Sequence, residues 1–291
     1  MKNKVNNAYL KNKGIGIFDS GVGGLTVLRE IRRLLPYEDI FYLGDTARVP
    51  YGNRSKDTIV KYSIQNTNFL LKLGIKLLVV ACNTSSSVAI DYLKQNFSGL
   101  PIIGVIEPGS AEAIALTKNN RIGVIGTRAT IESNSYKLAI HTFDNKAKIF
   151  QKACPLFVPI VEEGMHKTQF AYEIARYYLS GLKQHNIDTL ILGCTHYPVL
   201  SPVIKKVVGD KVKLVNSGQA VAKRVYEYLS RTGLMKTDIN TSHNNVAKYK
   251  SYGALKFYVT DAPEQFKKMG KLLLSIDIDN NVKKVILDEH G

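Results

Sequence analysis

Short apolar runs alternate with amphipathic segments through the first hundred residues. Residues 14–18 (Gly-Ile-Gly-Ile-Phe) are an apolar run that ends at Asp19-Ser20. Glycines 21, 23 and 24 then lead into Leu25, Leu28, Ile31 and Leu35, which share one face of a helix. Pro36 stops that helix because it has no N–H to donate. A second short strand is expected at residues 40–43, before Gly44-Asp45. Ser55 suits the cap of a further helix whose Ile59, Tyr62, Phe69, Leu70 and Leu73 fall on one side, and Gly74 is placed to end it. Residues 75–81 are apolar again, apart from Lys76, and reach Cys82. Continuous apolar runs are what strands need when both faces of a parallel sheet are covered. The β-α-β-α-β order predicts an α/β fold with a doubly wound parallel sheet. Asp19, Asp45, Tyr51 and Cys82 fall at or just beyond the C-terminal ends of the predicted strands, where such sheets bind ligands.

The pattern then restarts. Arg-Ile-Gly-Val-Ile-Gly-Thr at 121–127 echoes Gly-Ile-Gly-Ile-Phe-Asp-Ser at 14–20, an offset of 107 residues. Ile-Asp-Thr-Leu-Ile-Leu-Gly-Cys-Thr-His at 187–196 echoes Ile-Lys-Leu-Leu-Val-Val-Ala-Cys-Asn-Thr at 75–84, an offset of 112. Two motifs in the same order at nearly one offset argue for duplication. Two similar doubly wound α/β domains related by a pseudo-twofold are expected, with Cys82 on one wall of a cleft and Cys194 on the other. A late strand at 255–259 is expected to return to the first domain. That gives residues 1–105 with 216–291 as the first domain and 106–215 as the second. Residues 235–251 read as a polar loop, and a last strand is expected at 282–287.

Composition narrows the class. Three cysteines in 291 residues are no disulfide framework, and no CxxC or HExxH spacing marks a metal site. The first residues lack an apolar leader and no run is apolar enough to span a bilayer, so a cytoplasmic protein without membrane contact is expected. The formal charge of +16 raises nucleic acid as a partner. The basic residues are scattered, with Lys205-Lys206, Lys267-Lys268 and Lys283-Lys284 as the densest pairs and acids between them. No nucleic-acid-binding motif accompanies them, so nucleic acid is not the expected partner; an anionic small substrate would gain from the field.

The paired thiols carry the chemistry. Cys154, before Pro155 in an apolar segment, reads as a small buried hydrophobe. Cys82 and Cys194 each follow a strand and precede polar residues, and helix-forming sequence after Cys82 is expected to favour its thiolate. One thiol on each side of a ligand suits taking a proton from one face of a carbon and returning one to the other. Asp19 is a candidate N-cap, a candidate to orient a substrate ammonium or a candidate to tune the Cys82 thiol, and His196, two residues past Cys194, a candidate base or proton donor. Glu162 and Glu163 follow Val158-Pro159-Ile160-Val161, which reads as extended, with one acid toward the cleft. The turn at 21–24 lacks the residues of a P-loop and reads as a backbone-amide anion cradle. A cysteine hydrolase would want one Cys–His–Asn/Asp set, which a duplicated thiol pair fits poorly.

Five ordered motifs, Phe18-Asp-Ser-Gly-Val-Gly-Gly24, Asp45 with Pro50-Tyr51-Gly52, Ala81-Cys-Asn-Thr84, Gly104-Val-Ile-Glu-Pro108 and Gly193-Cys-Thr-His-Tyr-Pro198, resemble the cofactor-independent glutamate racemases. Aspartate and hydantoin racemases share the two-cysteine plan, but the first and last motifs resemble the glutamate branch. The resemblance implies that Cys82 and Cys194 exchange protons with the substrate and that Asp19, Glu162 and His196 assist them. It also implies substrate contacts from Asp19, Ser20, Tyr51, Gly52, Asn83, Thr84, Thr195 and His196. The same resemblance implies glutamate as substrate, no cofactor or metal, a homodimer, and D-glutamate made for peptidoglycan and hence for the cell wall and cell shape.

Overall fold

The computed structural model describes residues 8–237 and 252–288. Two parallel sheets carry the fold. The strands in chain order are β1 Gly14–Asp19, β2 Ile40–Gly44, β3 Ile75–Val80, β4 Ile102–Gly104, β5 Arg121–Gly126, β6 Lys148–Ala153, β7 Thr189–Gly193, β8 Lys213–Asn216, β9 Leu255–Val259 and β10 Val282–Lys284. The first sheet runs β10-β9-β2-β1-β3-β4 and the second β6-β5-β7-β8. All pairings are parallel. The order β2-β1-β3-β4 recurs as β6-β5-β7-β8, so the sequence echo is an echo of topology. This is the expected α/β architecture of two doubly wound units.

The elements follow from their residues. Every residue of β1 and β3 is buried, as a strand between two helical layers must be. Lys76 is tolerated inside β3 because its ammonium lies 2.6 Å from the Glu38 carboxylate and donates to the carbonyls of Leu234 (2.8 Å) and Lys11 (3.0 Å). Helix Leu25–Leu34 buries Leu25, Leu28 and Ile31 and packs on helix Ser217–Thr232. Helix Lys56–Lys72 is capped by Ser55, whose hydroxyl accepts the Thr58 N–H at 3.4 Å, and the chain leaves it through Gly74 at φ +78°.

The chain passes between the sheets twice. It leaves the first after β4 through helix Ile106–Leu116, and leaves the second after β8 through helix Ser217–Thr232; these two helices pack on each other. β9 then pairs with β2 in the first sheet. The last strand is shorter than its apolar run suggested. β10 stops at Lys284, which pairs with Val259, because there β9 ends and no ladder remains to extend. The polar stretch expected at 235–251 lies outside the described residues from 238 onward, and the start of the chain does so through residue 7. No helix among the described residues is long and apolar enough to cross a membrane.

Candidate active site

Both thiols line one cavity. Cys82 follows β3 and caps the N-terminus of helix Asn83–Val88; Cys194 follows β7. The cavity, about 30 Å³, is walled by Ser20, Tyr51, Gly52, Asn83, Thr84, Thr195 and His196 together with the two cysteines, and by Val49, Pro50, Thr127 and Val158. Seven expected binding residues therefore converge on the two sulfurs. Asp19 stands just behind this lining. A far larger cavity, about 810 Å³, lies elsewhere, between helices Ile90–Asn96, Ser135–Phe143 and Ser217–Thr232, and touches neither thiol.

On the Cys82 wall the sulfur meets a hydroxyl and an amide. The Cys82 sulfur faces the Ser20 hydroxyl at 3.7 Å and accepts the Ser85 N–H at 3.5 Å. Burial, and next the neighbouring Asp19 carboxylate, push this thiol up to about 11, outweighing the Ser85 amide. This corrects the expectation of a favoured thiolate: the helix behind Cys82 has only six residues, and its N-terminus is weaker than the desolvation. Asp19 is fully buried, which raises its pKa, with the His196 charge opposing. Its Oδ2 accepts the Gly21 N–H at 3.1 Å and its Oδ1 the Thr195 hydroxyl at 3.3 Å. The glycine turn is thus a cradle for the chain's own Asp19, not for an outside anion. Nor is Asp19 a helix cap, since Gly24 holds that position.

The Cys194 wall is charged. The sulfur lies 3.8 Å from His196 Nδ1, and His196 Nε2 lies 3.1 Å from Glu162 Oε1. Burial lowers the His196 pKa, but the hydrogen bonds and charges of Cys194 and Glu162 overcome it and hold the imidazole up at about 10. Gly23 lets this wall meet the first sheet's turn: a Cβ there would sit 2.6 Å from His196 Nδ1. Glu162 arrives by a route the pattern misread. The run expected to be extended is helix Phe157–Glu162, in which Phe157, Ile160 and Val161 are buried. Helical spacing of those apolar groups overrides their β propensity, and Pro159 sits in the first turn, where its missing N–H costs nothing. That turn aims Glu162 at His196 and leaves Glu163 in solvent.

Other groups are held by their neighbours. The Tyr51 hydroxyl donates to buried Asp45 and accepts from Asn66 Nδ2 at 3.1 Å, which ties this cavity-lining residue to its neighbours. Asp45 also accepts Arg48 Nε at 2.6 Å and the Thr260 hydroxyl at 3.0 Å, which fixes the loop carrying Pro50-Tyr51-Gly52. Asn83 Oδ1 accepts the Tyr136 hydroxyl at 2.7 Å. Thr84 and Thr127 hydroxyls meet at 3.0 Å across the cleft. Sequence reasoning passed over Thr127, although the repeat marks it: Thr127 stands in the second half where Ser20 stands in the first. Val158 lay in the run misread as extended. No group of three or more His, Cys, Asp or Glu side chains among the described residues is arranged to hold a metal ion.

Comparison with known proteins gives one family. The model of the Asp/Glu/Hydantoin racemase family matches residues 15–225. The chain is 47% identical over 262 residues to the glutamate racemase of Geobacter metallireducens, covering 90% of this chain and 93% of that one. It is 48% identical over 264 residues to that of Persephonella marina, covering 91% and 94%. Among solved structures, glutamate racemase RacE1 from Bacillus anthracis superposes with a TM-score of 0.88 at 38% identity, over 95% of this chain and 98% of that one. Glutamate racemase from Francisella tularensis in complex with D-glutamate superposes with a TM-score of 0.86 at 37% identity, over 97% and 100%. With a matching family model over most of its length and relatives this similar, the chain is an enzyme of the Asp/Glu/Hydantoin racemase family.

Proposed function

We propose that the protein interconverts L- and D-glutamate by proton transfer at the α-carbon, with Cys82 on one face and Cys194 on the other and no added cofactor. The observation that carries this reading is that two thiols with unlike proton partners line a single cavity. The names of its relatives supply the substrate. In a cavity of about 30 Å³ there is room for only a water or two, so the walls must part to admit an amino acid.

The α-proton of an amino acid is very weakly acidic, so the site has to stabilise negative charge as the C–H bond breaks. The Ser20, Thr84 and Thr195 hydroxyls and the Asn83 amide line the cavity and can donate to the substrate carboxylates. Exclusion of water strengthens each such bond. One sulfur, as thiolate, takes the proton and leaves the electron pair on carbon. The opposite thiol donates its own proton to the other face. Turnover in the two directions needs opposite protonation of the pair.

The neighbours suit this division. The thiol of Cys82, held neutral by burial, is ready to donate, while the imidazolium of His196 stands beside the Cys194 sulfur. The resemblance further suggests a cytoplasmic homodimer whose D-glutamate enters peptidoglycan. The test is purified protein with each enantiomer in deuterated water and no cofactor, read by chiral chromatography with mass detection. The product enantiomer is expected to carry deuterium from the first turnovers while the starting enantiomer stays largely unlabelled. Equal early labelling of both would mean one base serving both faces. Turnover of aspartate in preference to glutamate would move the substrate assignment.

A further inference from the structure

Tyr136 stands between the two cysteine-bearing turns without lining the cavity they share. It sits in helix Ser135–Phe143, which belongs to the second sheet's half of the chain, and is fully buried. Its ring lies against Gly193, the residue before Cys194, so closely that a Cβ there would come 3.1 Å from ring atom Cε2. Its hydroxyl reaches into the first half and donates to Oδ1 of Asn83, the residue after Cys82, at 2.7 Å. The Ser217 hydroxyl, at the start of helix Ser217–Thr232, meets the same phenol oxygen at 3.1 Å. Burial pushes the phenol pKa up, so the proton stays on oxygen. A phenol has a single proton to give. With that proton on Asn83, Ser217 is the donor of the second bond, and the chain runs from Ser217 through Tyr136 to Asn83.

An amide side chain donates at one end and accepts at the other, so its direction decides what it can bind. With Oδ1 bonded to Tyr136, the NH2 end of Asn83 is left over. Among the described residues Nδ2 donates to no protein group, although Asn83 is buried and lines the cavity. We propose that Tyr136 is a positioning residue: by holding Oδ1 it turns the Asn83 N–H groups into the chamber as donors to a substrate carboxylate. The proposal deepens the racemase reading and rests on it. Glutamate brings two carboxylates, which only accept. Were Asn83 turned over, its carbonyl oxygen would face that negative charge and repel it. The substrate ammonium needs acceptors, and an amide whose oxygen is already bonded is not one of them. The hydroxyl that fixes the direction comes from the half that carries Cys194, so Asn83 is set for an anion only while the two halves are together.

Tyr136→Phe removes the hydroxyl and keeps the ring against Gly193. It is expected to lower kcat/KM for both glutamate enantiomers about tenfold, mainly by raising KM, because a bond to a carboxylate forms as soon as substrate binds. Asn83→Ala is expected to cost more, about a hundredfold. The double variant is expected to match Asn83→Ala within about twofold, since Tyr136 acts through an amide that is then missing. Ser217→Ala, which removes the donor to the phenol, is expected to cost about threefold, and that loss also vanishes in the Asn83→Ala background. A Tyr136→Phe enzyme that turns over like wild type overturns the proposal. So do a loss carried by kcat alone, and losses that multiply in the double variant, which would make the hydroxyl a general support of the fold. If Tyr136→Phe does not fold, the Ser217 pair decides in the same way, with an absent or multiplying loss against the proposal. Wild-type protein inert toward both glutamate enantiomers would instead overturn the racemase reading, and this one with it.

Discussion

The Cys82 wall and the Cys194 wall come from the same strand order and reach the cavity from matching strands, Cys82 two residues past the end of β3 and Cys194 one residue past the end of β7. Their chemistry nevertheless differs. Ser20 in the first half is Thr127 in the second, Asp19 is Gly126, and Thr84 is His196. The Cys82 sulfur has a hydroxyl and an amide, and burial holds it neutral. The Cys194 sulfur has an imidazole backed by a carboxylate. Duplication supplies two opposed positions, and divergence supplies two different proton partners.

The largest expected effect breaks the comparison outright. Cys82→Ser and Cys194→Ser are each expected to lower racemisation at least about a thousandfold by chiral chromatography, since in the proposed mechanism each removes one of two acid–base groups. Near wild-type turnover in either variant ends the two-base reading. His196→Asn sharpens it. The enantiomers have equal free energy, so kcat/KM must fall equally in both directions, by about a hundredfold. The asymmetry is expected in the isotope effect: α-deuteration is expected to slow one enantiomer far more than the other, because the transfer at Cys194 becomes limiting. Equal effects for both enantiomers would place His196 outside that transfer.

A smaller effect concerns pH and stability. The His196 pKa is raised from 6.5 to about 10, so imidazolium contributes stability that is complete below pH 6.5 and lost as pH rises through 10. Cys82, raised from 9.0 to about 11, adds a loss of the same sign from pH 9 upward. The urea midpoint of the wild type is therefore expected to fall from pH 6.5 to pH 10, and that of His196→Asn to change less over this window. A midpoint rising with pH there contradicts the assignment. The smallest effect is the control. Cys154, fully buried with its thiol bonded to the Lys152 carbonyl at 3.6 Å, lies in neither wall. Cys154→Ala is expected to leave turnover unchanged and to lower stability by about 1 kcal/mol in urea unfolding.

Much of the fold was legible because parallel strands announce themselves. The apolar runs ending at Asp19, Cys82 and Cys194 read as buried strands because each is short and bounded by glycine or polar turn residues, and the shared offset exposed the repeat. The helix carrying Glu162 was not legible, since Val, Pro and Ile suggest a strand until the partners that bury Phe157 and Ile160 are known. The neutral Cys82 thiol was hidden for a similar reason: burial and the approach of Asp19 are tertiary facts, while the helix start beside it is a local one. Thr127 was visible in the repeat but carries no reactive group to single it out.

The two crossings between the sheets have a mechanical consequence. A unit tied by one strand of chain can swing and twist freely, but one tied at two adjacent points can only flex about the line that joins them. Helices Ile106–Leu116 and Ser217–Thr232, packed side by side, define such a line. Widening of the cavity is expected to follow that single axis, and closing to restore one separation between the sulfurs.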